Sequence, residues 1–261
     1  MEGIGVFDSG VGGLTVLKAL RKALPGEFFY YLGDTARVPY GTKSGETVVK
    51  YAMQNAKFLV SVGIKYLVVA CNTASSYALD VLRKELSIPV IGVIRPGAEE
   101  AVPVTRGKIG VIGTRSTILS GSYLREIKKI RPDVEVFQKA TPLFVPLAEE
   151  GMFYHPITLS VAEMYLAEMR DRKVDTLILG CTHYPLLKKA ISEVMGSDVR
   201  LVDSAESIAR HIKEYLKITN NLSNSSGGVK YFVTDSPESF KRVGEMFMGE
   251  EIEDIELIDI R

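Results

Sequence analysis

The stretch Tyr66-Leu-Val-Val-Ala-Cys-Asn-Thr-Ala-Ser-Ser76 joins two kinds of element at one cysteine. Tyr66 to Ala70 is a short apolar run rich in branched side chains, the pattern of a buried strand. From Tyr77 to Leu86, the residues Leu79, Leu82 and Leu86 recur at helical spacing. Cys71 therefore falls where a strand turns into a helix, with the polar residues Asn72, Thr73 and Ser75 immediately after it. Backbone N–H groups at a helix start favour negative charge. A thiol there is expected to ionise more readily than the ~8.5 of a free cysteine.

The arrangement returns further along the chain. Thr176-Leu-Ile-Leu-Gly180 is a second apolar strand, Cys181-Thr-His183 follows, and a helix runs from Leu186 to about Met195. These are the only two cysteines.

Around this pair, strands and helices alternate. Gly3–Phe7 reads as a strand, followed by Asp8-Ser-Gly-Val-Gly-Gly13 and a helix through Leu14, Leu17 and Leu20. Phe28–Leu32 reads as a strand ending in Gly33-Asp-Thr35 and the loop Pro39-Tyr-Gly41, and a helix from about Gly45 to Val62 leads to the Cys71 strand. Pro89–Val93 is the next strand, with a connection near Arg95-Pro-Gly97. Such alternation marks an α/β protein with mostly parallel sheets. From Lys108 the order begins again. Ile109-Gly-Val-Ile-Gly-Thr114 matches Ile4-Gly-Val-Phe-Asp-Ser9 at an offset of 105. Val134–Phe137 leads to Phe144-Val-Pro-Leu147 as Phe28–Leu32 leads to Val38-Pro-Tyr40, with the prolines 107 apart; the cysteines are 110 apart, each followed by a helix and a strand (Ile88–Val93, then Val199–Val202). Three matches in order at nearly constant offset imply two similar α/β units of about 100 residues. Beyond Ala205 come a helix (Ile208–Leu216), a Gly/Ser-rich flexible loop (Thr219–Gly228), a strand (Val229–Thr234), a helix (Pro237–Met248) and a final alternating strand (Ile252–Ile260). Some fifty residues are few for a third domain, so this tail is expected to pack on one of the two units.

The totals narrow the class. The 261 residues are 46% hydrophobic and 25% charged, average for a soluble globular protein. Equal numbers of acidic and basic residues, 32 each, imply no general attraction to nucleic acid or to an anionic membrane. No apolar run approaches the ~18 residues that span a bilayer. A first strand at about Gly3 is expected to leave no room for a signal peptide, and two cysteines in so long a chain fit a reducing cytoplasm.

In open parallel sheets, ligands bind beyond the carboxyl ends of the strands. Asp8-Ser9, Asp34, Cys71-Asn72-Thr73, Thr114 and Cys181-Thr182-His183 all fall at such ends. If the two units face each other, the two thiols flank one small molecule. Opposed acid/base groups are what inversion at a carbon requires: one removes a proton from one face while the other supplies a proton to the opposite face. A reversible racemase does this in both directions, so a pair of like groups suits it. The developing negative charge needs fixed donors, which the hydroxyls and amides beside each cysteine supply. Other readings of the same residues exist. Either cysteine alone reads as a small buried hydrophobe, His183 as a satisfied core histidine, Asp8 and Asp34 as helix caps. A disulfide fits the expected compartment poorly. Asp8-Ser-Gly-Val-Gly-Gly13 lacks the lysine and spacing of a P-loop, and no Cys/His cluster completes a metal-ligand set around Cys181-Thr-His183. The basic run Arg125–Arg131, interrupted by Ile127 and Ile130, reads as a solvated helix face.

Several of these segments together resemble the glutamate racemases of the cofactor-independent aspartate/glutamate racemase superfamily. The resemblance is carried by Phe7-Asp-Ser-Gly-Val-Gly-Gly-Leu14, Gly33-Asp-Thr-Ala-Arg-Val-Pro-Tyr-Gly41, Ala70-Cys-Asn-Thr-Ala74, Phe144-Val-Pro-Leu147 with Glu149, and Gly180-Cys-Thr-His-Tyr-Pro185, over about residues 1 to 216. It implies two doubly wound α/β domains related by pseudo-symmetry with the active site between them, 1–97 plus 207–261 on the Cys71 side and 98–206 on the Cys181 side. It implies that Cys71 and Cys181 are proton donor and acceptor without pyridoxal phosphate or metal, with Asp8 supporting Cys71 and His183 supporting Cys181. Asp34 and Glu149 match assisting acidic positions. Asp8, Ser9, Pro39, Tyr40, Gly41, Asn72, Thr73, Thr182 and His183 match substrate-binding positions, with Thr114 and Thr117 contributing. The family makes D-glutamate for peptidoglycan, commonly as a homodimer. Cys-Thr-His at the second thiol, together with the Asp-Ser-Gly opening, favours glutamate over aspartate. The alternatives are an aspartate racemase and a two-lobed amino-acid-binding protein with inert thiols.

Overall fold

The structure is a computed structural model that describes residues 2–223 and 225–260. Two all-parallel sheets carry the chain. The first contains β1 (Gly3–Asp8), β2 (Phe28–Gly33), β3 (Ile64–Val69), β4 (Val90–Gly92), β9 (Gly228–Val233) and β10 (Ile255–Leu257), in the order β10-β9-β2-β1-β3-β4. The second contains β5 (Lys108–Gly113), β6 (Glu135–Ala140), β7 (Thr176–Gly180) and β8 (Arg200–Val202), in the order β6-β5-β7-β8. The first four strands of each run thus lie in the same order, second-first-third-fourth. That is the physical content of the internal repeat. The central strands β1 and β7 are buried along their whole length, as covered parallel strands are, which is why they read as unbroken apolar runs.

In each sheet the strand order reverses between the first and third strands of the run. β1 pairs with β2 on one side and β3 on the other, and β5 pairs with β6 and β7. The carboxyl ends flanking such a reversal diverge and leave a crevice for a ligand. Asp8 ends β1, Cys71 follows β3, Thr114 follows β5 and Cys181 follows β7. All four candidate positions therefore stand at the two switch points.

Local chemistry starts the helices that matter. α3 (Asn72–Glu85) begins directly after Cys71, whose Sγ accepts the Ala74 N–H at 3.5 Å as an N-cap. The short α5 (Arg115–Ser120) is capped by Thr114, whose Oγ1 accepts from Thr117 N at 3.2 Å. α7 (Phe144–Glu149) buries Phe144 edge-on against Tyr165 and Tyr184 and delivers Glu149 at its last turn. After β7, a 3-10 turn (Tyr184–Leu187) precedes α9 (Lys188–Met195).

Two expectations are corrected. The connection near Arg95-Pro-Gly97 is a helix, α4 (Ile94–Ala101). Pro96 sits in its first turn, where the missing N–H had no helical partner to lose. The final strand is Ile255–Leu257 rather than Ile252–Ile260. Asp254, at φ 53°, breaks the extended run before it, and β10 pairs only with β9 as an edge. The tail contributes α10 (Ala205–Ile218), β9, α11 (Pro237–Met248) and β10, with β9 hydrogen-bonded along β2. Between α10 and β9 the described residues form neither helix nor strand; Asn224 of the expected loop lies outside the described residues. In α6 (Ser122–Ile130), Ile127 is buried and Ile130 exposed, so one side of the basic run packs inward. Among the described residues no helix is long and apolar enough to cross a membrane.

Candidate active site

The loop after β1 meets the Cys181 turn at very close range. A Cβ on Gly12 would lie 2.3 Å from Thr182 Oγ1 and 2.5 Å from His183 Cε1. Thr15 Oγ1 donates to Thr182 O at 2.9 Å, and Thr182 Oγ1 donates to Asp8 Oδ1 at 3.4 Å. Tyr31 Oη, from β2, holds the loop by donating to Gly10 O at 2.8 Å. The glycines of Asp8-Ser-Gly-Val-Gly-Gly13 thus permit contact between the two sheets' carboxyl ends. The Tyr40 loop behaves alike: a Cβ on Gly41 would lie 2.7 Å from Thr114 Cβ, and Ser116 Oγ donates to Gly41 O at 2.9 Å.

Between these contacts is a cavity of about 30 Å³, walled by Ser9, Val38–Gly41, Cys71–Thr73, Thr114, Val145 and Cys181–His183. Both thiols line it, and both are buried and free. Larger hollows exist elsewhere. One of about 350 Å³ under Lys18, Arg21 and Lys22 opens near Glu27, at the amino end of β2, and carries no thiol.

The two thiols have different surroundings. Cys71 Sγ donates to Ser9 Oγ at 3.7 Å and accepts from Ala74 N at 3.5 Å. Burial pushes its thiol up to about 12, and the charge of Asp8 adds to this; the Ala74 and Ser9 hydrogen bonds oppose the rise without cancelling it. The expectation of a readily ionised thiol is corrected here, because desolvation outweighs the helix start. Asp8 is fully buried, and burial raises its carboxyl above the usual range against the pull of His183 and the Gly10 N–H at 3.0 Å. Its oxygens take Gly10 N and Thr182 Oγ1, and the Gly13 N–H at the start of the next helix also holds its charge.

Cys181 Sγ faces His183 Nδ1 at 3.7 Å, and His183 Nε2 stands 2.9 Å from Glu149 Oε1. Burial works against a charged imidazole, but the hydrogen bonds and negative charge of Cys181 and Glu149 outweigh it and raise His183 to about 10. The ring also meets Phe247 of α11 edge-on, with centroids 5.6 Å apart. His183 is therefore a histidine held between a thiol and a carboxylate, able to keep a proton beside Sγ and give it back.

The remaining candidates divide by position. Asn72 Oδ1 accepts from Tyr123 Oη at 2.7 Å, leaving its amide nitrogen unused in that bond. Thr73 Oγ1 stands 2.9 Å from Thr114 Oγ1 and 3.1 Å from Thr117 Oγ1. Thr117 is one shell behind the wall and buttresses the other two hydroxyls. Asp34 is away from both thiols. It accepts from Arg37 Nε at 2.8 and 2.9 Å, from Thr234 Oγ1 at 3.0 Å and from Tyr40 Oη. Its side chain makes no cap hydrogen bond to the turn that follows. It anchors Tyr40, which does line the cavity. Val38 and Val145 lie inside motifs read from the sequence but were not singled out there as wall residues, and Phe247 arrives from a segment with no motif. Among the described residues, no group of three or more His, Cys, Asp or Glu could hold a metal ion.

Known proteins share this frame. The Asp/Glu/hydantoin racemase family model matches residues 4–212. A glutamate racemase of Geobacter metallireducens is 56% identical over 257 residues, covering 97% of this chain and 95% of that one. The structure of a glutamate racemase isoform, RacE1, from Bacillus anthracis superposes with a TM-score of 0.96 at 39% identity, covering 99% of this chain and 98% of that one. A Francisella tularensis glutamate racemase in complex with D-glutamate gives 0.94 at 40% identity, with 99% and 98% covered.

Proposed function

The chain belongs to the Asp/Glu/hydantoin racemase family, and on that premise we propose that it interconverts L- and D-glutamate by direct proton transfer between two thiols and the α-carbon. One observation carries the mechanism. Cys71 and Cys181 line the same cavity from equivalent positions in two sheets of equal strand order.

In this reading Cys181 Sγ, as thiolate, removes the α-proton of L-glutamate, and the Cys71 thiol delivers its proton to the opposite face. The return reaction exchanges the roles. The environments suit the parts: Cys71 rests protonated, ready to donate, while His183 holds a proton next to the Cys181 sulfur. Loss of the weakly acidic α-proton builds negative charge that fixed donors must receive without reorganising. The hydroxyls of Ser9, Thr73, Thr114 and Thr182 and the amides that start α3 are those donors, and the substrate carboxylates lie among them. Tyr40 and Gly41, with Pro39, line the same cavity as Cys181-Thr-His183. Asp8 tunes Cys71 by charge from a distance. D-Glutamate formed this way supplies peptidoglycan.

The same reading divides the chain into 1–97 with 207–261 and 98–206, supported by the tail strands joining the β1–β4 sheet. It makes the protein a cytoplasmic homodimer, which fractionation and light scattering test. For the chemistry, Cys71→Ala and Cys181→Ala are each expected to abolish racemisation in folded protein freed of metal and cofactor. Retained turnover in either variant would sink the two-thiol assignment. Faster turnover of aspartate than of glutamate would overturn the substrate.

A further inference from the structure

The amide that follows Cys71 is held from the other sheet's side of the molecule. Asn72, the first residue of α3, lines the substrate cavity, and its Oδ1 accepts from Tyr123 Oη at 2.7 Å. Tyr123 belongs to α6, between β5 and β6 of the second sheet, and is 1% exposed. Its ring packs on backbone where two glycines make room. A Cβ on Gly97 of α4 would lie 3.2 Å from the ring's Cε1, and one on Gly180 would lie 3.0 Å from Cε2. Gly180 ends β7 and precedes Cys181. One side chain therefore rests on the strand end that delivers one thiol and grips the residue that follows the other.

The direction of that bond decides what Asn72 offers. A phenol has a single proton to give. Burial raises that of Tyr123 well above its ordinary range, and the charges of Cys181 and Asp203 add to the rise, so the hydroxyl remains a donor at neutral pH. Among the described residues it makes no hydrogen bond other than the one to Asn72. With Oδ1 taken, the amide nitrogen is directed away from the phenol. Among the described residues Nδ2 has no protein partner, and it is not sealed from solvent. A carboxamide turned end for end would instead set an oxygen lone pair against an anionic substrate.

We propose that Tyr123 is a positioning residue of the site, whose hydroxyl fixes the Asn72 carboxamide so that Nδ2 faces the cavity as a donor to a substrate carboxylate. The inference rests on the proposed racemisation of glutamate and adds to it a residue from a helix of the second sheet. Tyr123 touches no substrate and moves no proton. It settles the choice between two amide orientations before substrate arrives, which lowers the ordering cost of binding.

A cycle of single and double substitutions tests this. Tyr123→Phe keeps the ring on Gly97 and Gly180 and removes only the hydroxyl. It should raise KM for both enantiomers of glutamate about 10-fold, the scale of one hydrogen bond, and change kcat less. In an Asn72→Ala background, where no amide remains to be turned, the same substitution should leave kcat/KM within about twofold. The full loss repeated in that background would mean that the hydroxyl acts through packing, and an unchanged KM in the single variant would mean that it has no part in binding. Either result overturns the proposal. A second measurement needs no Tyr123 variant. In ¹⁵N NMR of the unsubstituted protein, the Asn72 side-chain amide, assigned by its loss in Asn72→Ala, should shift and exchange its protons more slowly with water when glutamate is bound; an unmoved signal overturns the proposal as well. Absence of racemisation in the unsubstituted protein would overturn the reaction instead, with the amide signal still deciding the contact.

Discussion

Thr73 Oγ1, one residue into the helix after Cys71's neighbour Asn72, stands 2.9 Å from Thr114 Oγ1 at the end of β5. That contact ties the first sheet to the second at the rim of the cavity that both thiols share. Either hydroxyl can donate, so each can turn its proton towards a substrate carboxylate while the other accepts. Replacing Thr114 by Val removes the hydroxyl and the α5 cap together, whereas Thr73→Val removes only the former. A hydrogen bond to a charged group contributes about 1.5–3 kcal/mol, so Thr73→Val should raise the KM for glutamate on the order of 10–100-fold and change kcat less. Steady-state kinetics in both directions check this. A KM within twofold of the unsubstituted protein would remove Thr73 from the substrate contacts.

Asp34 supports the site by structure. It binds Arg37, Tyr40 and Thr234 at once, with its own side chain fully buried and that of Arg37 partly exposed. Removing one partner of a buried pair leaves the other charge uncompensated and is worth about 3–5 kcal/mol. Asp34→Ala is therefore expected to lower stability by about that amount in denaturant titration. In whatever fraction folds, the effect on activity should fall on KM, through a loosened Tyr40, rather than on kcat.

Alkali should weaken the fold through His183. Its folded value lies at about 10, above the usual 6.5, so the native state binds the proton more tightly than the unfolded chain. The stabilisation is fully present below about 6.5 and is lost as pH rises through about 10. Cys71, raised from its ordinary 9.0 to about 12, adds to the decline in the higher part of that range. Thermal melts from pH 6 to 10 should show a falling Tm, and His183→Asn should flatten the slope between pH 6.5 and 9. An identical slope in that variant would contradict the Cys181–His183–Glu149 arrangement.

Phe247 couples the tail to the chemistry. It is buried and packs edge-on against His183. Phe247→Leu keeps most of the volume but not the ring edge, so it should lower kcat while stability changes modestly; Phe247→Ala should cost about 3–5 kcal/mol of stability as well. Equal kcat in the Leu variant would reduce Phe247 to packing alone.

Much of this architecture is legible in the chain because parallel strands covered on both faces must be apolar throughout. Tyr66–Ala70 and Thr176–Gly180 announce themselves, and the repeat spacing follows from two sheets of one strand order. The pairing of Cys71 with Cys181 across one cavity is legible for the same reason: both follow equivalent strands. What distinguishes the two thiols is not. The rise in Cys71 comes from burial and from Asp8, some sixty residues away in sequence, and a helix-start argument sees neither. Asp34 stands at a strand end like the site residues, and only its contacts with Arg37 and Thr234 separate anchoring from catalysis. The helix at Ile94–Ala101 was obscured by a proline and a glycine that its first turns tolerate.

The central claim is that two thiols invert the α-carbon by proton transfer alone. Its most direct test is incubation of metal-free, cofactor-free protein with L-glutamate in D₂O, following optical rotation and the α-proton NMR signal together. The account predicts that rotation decays to zero while deuterium enters the α position of the D-glutamate formed. Rotation and α-proton signal both unchanged in folded protein would contradict it, and would leave the facing cysteines as the walls of a binding site.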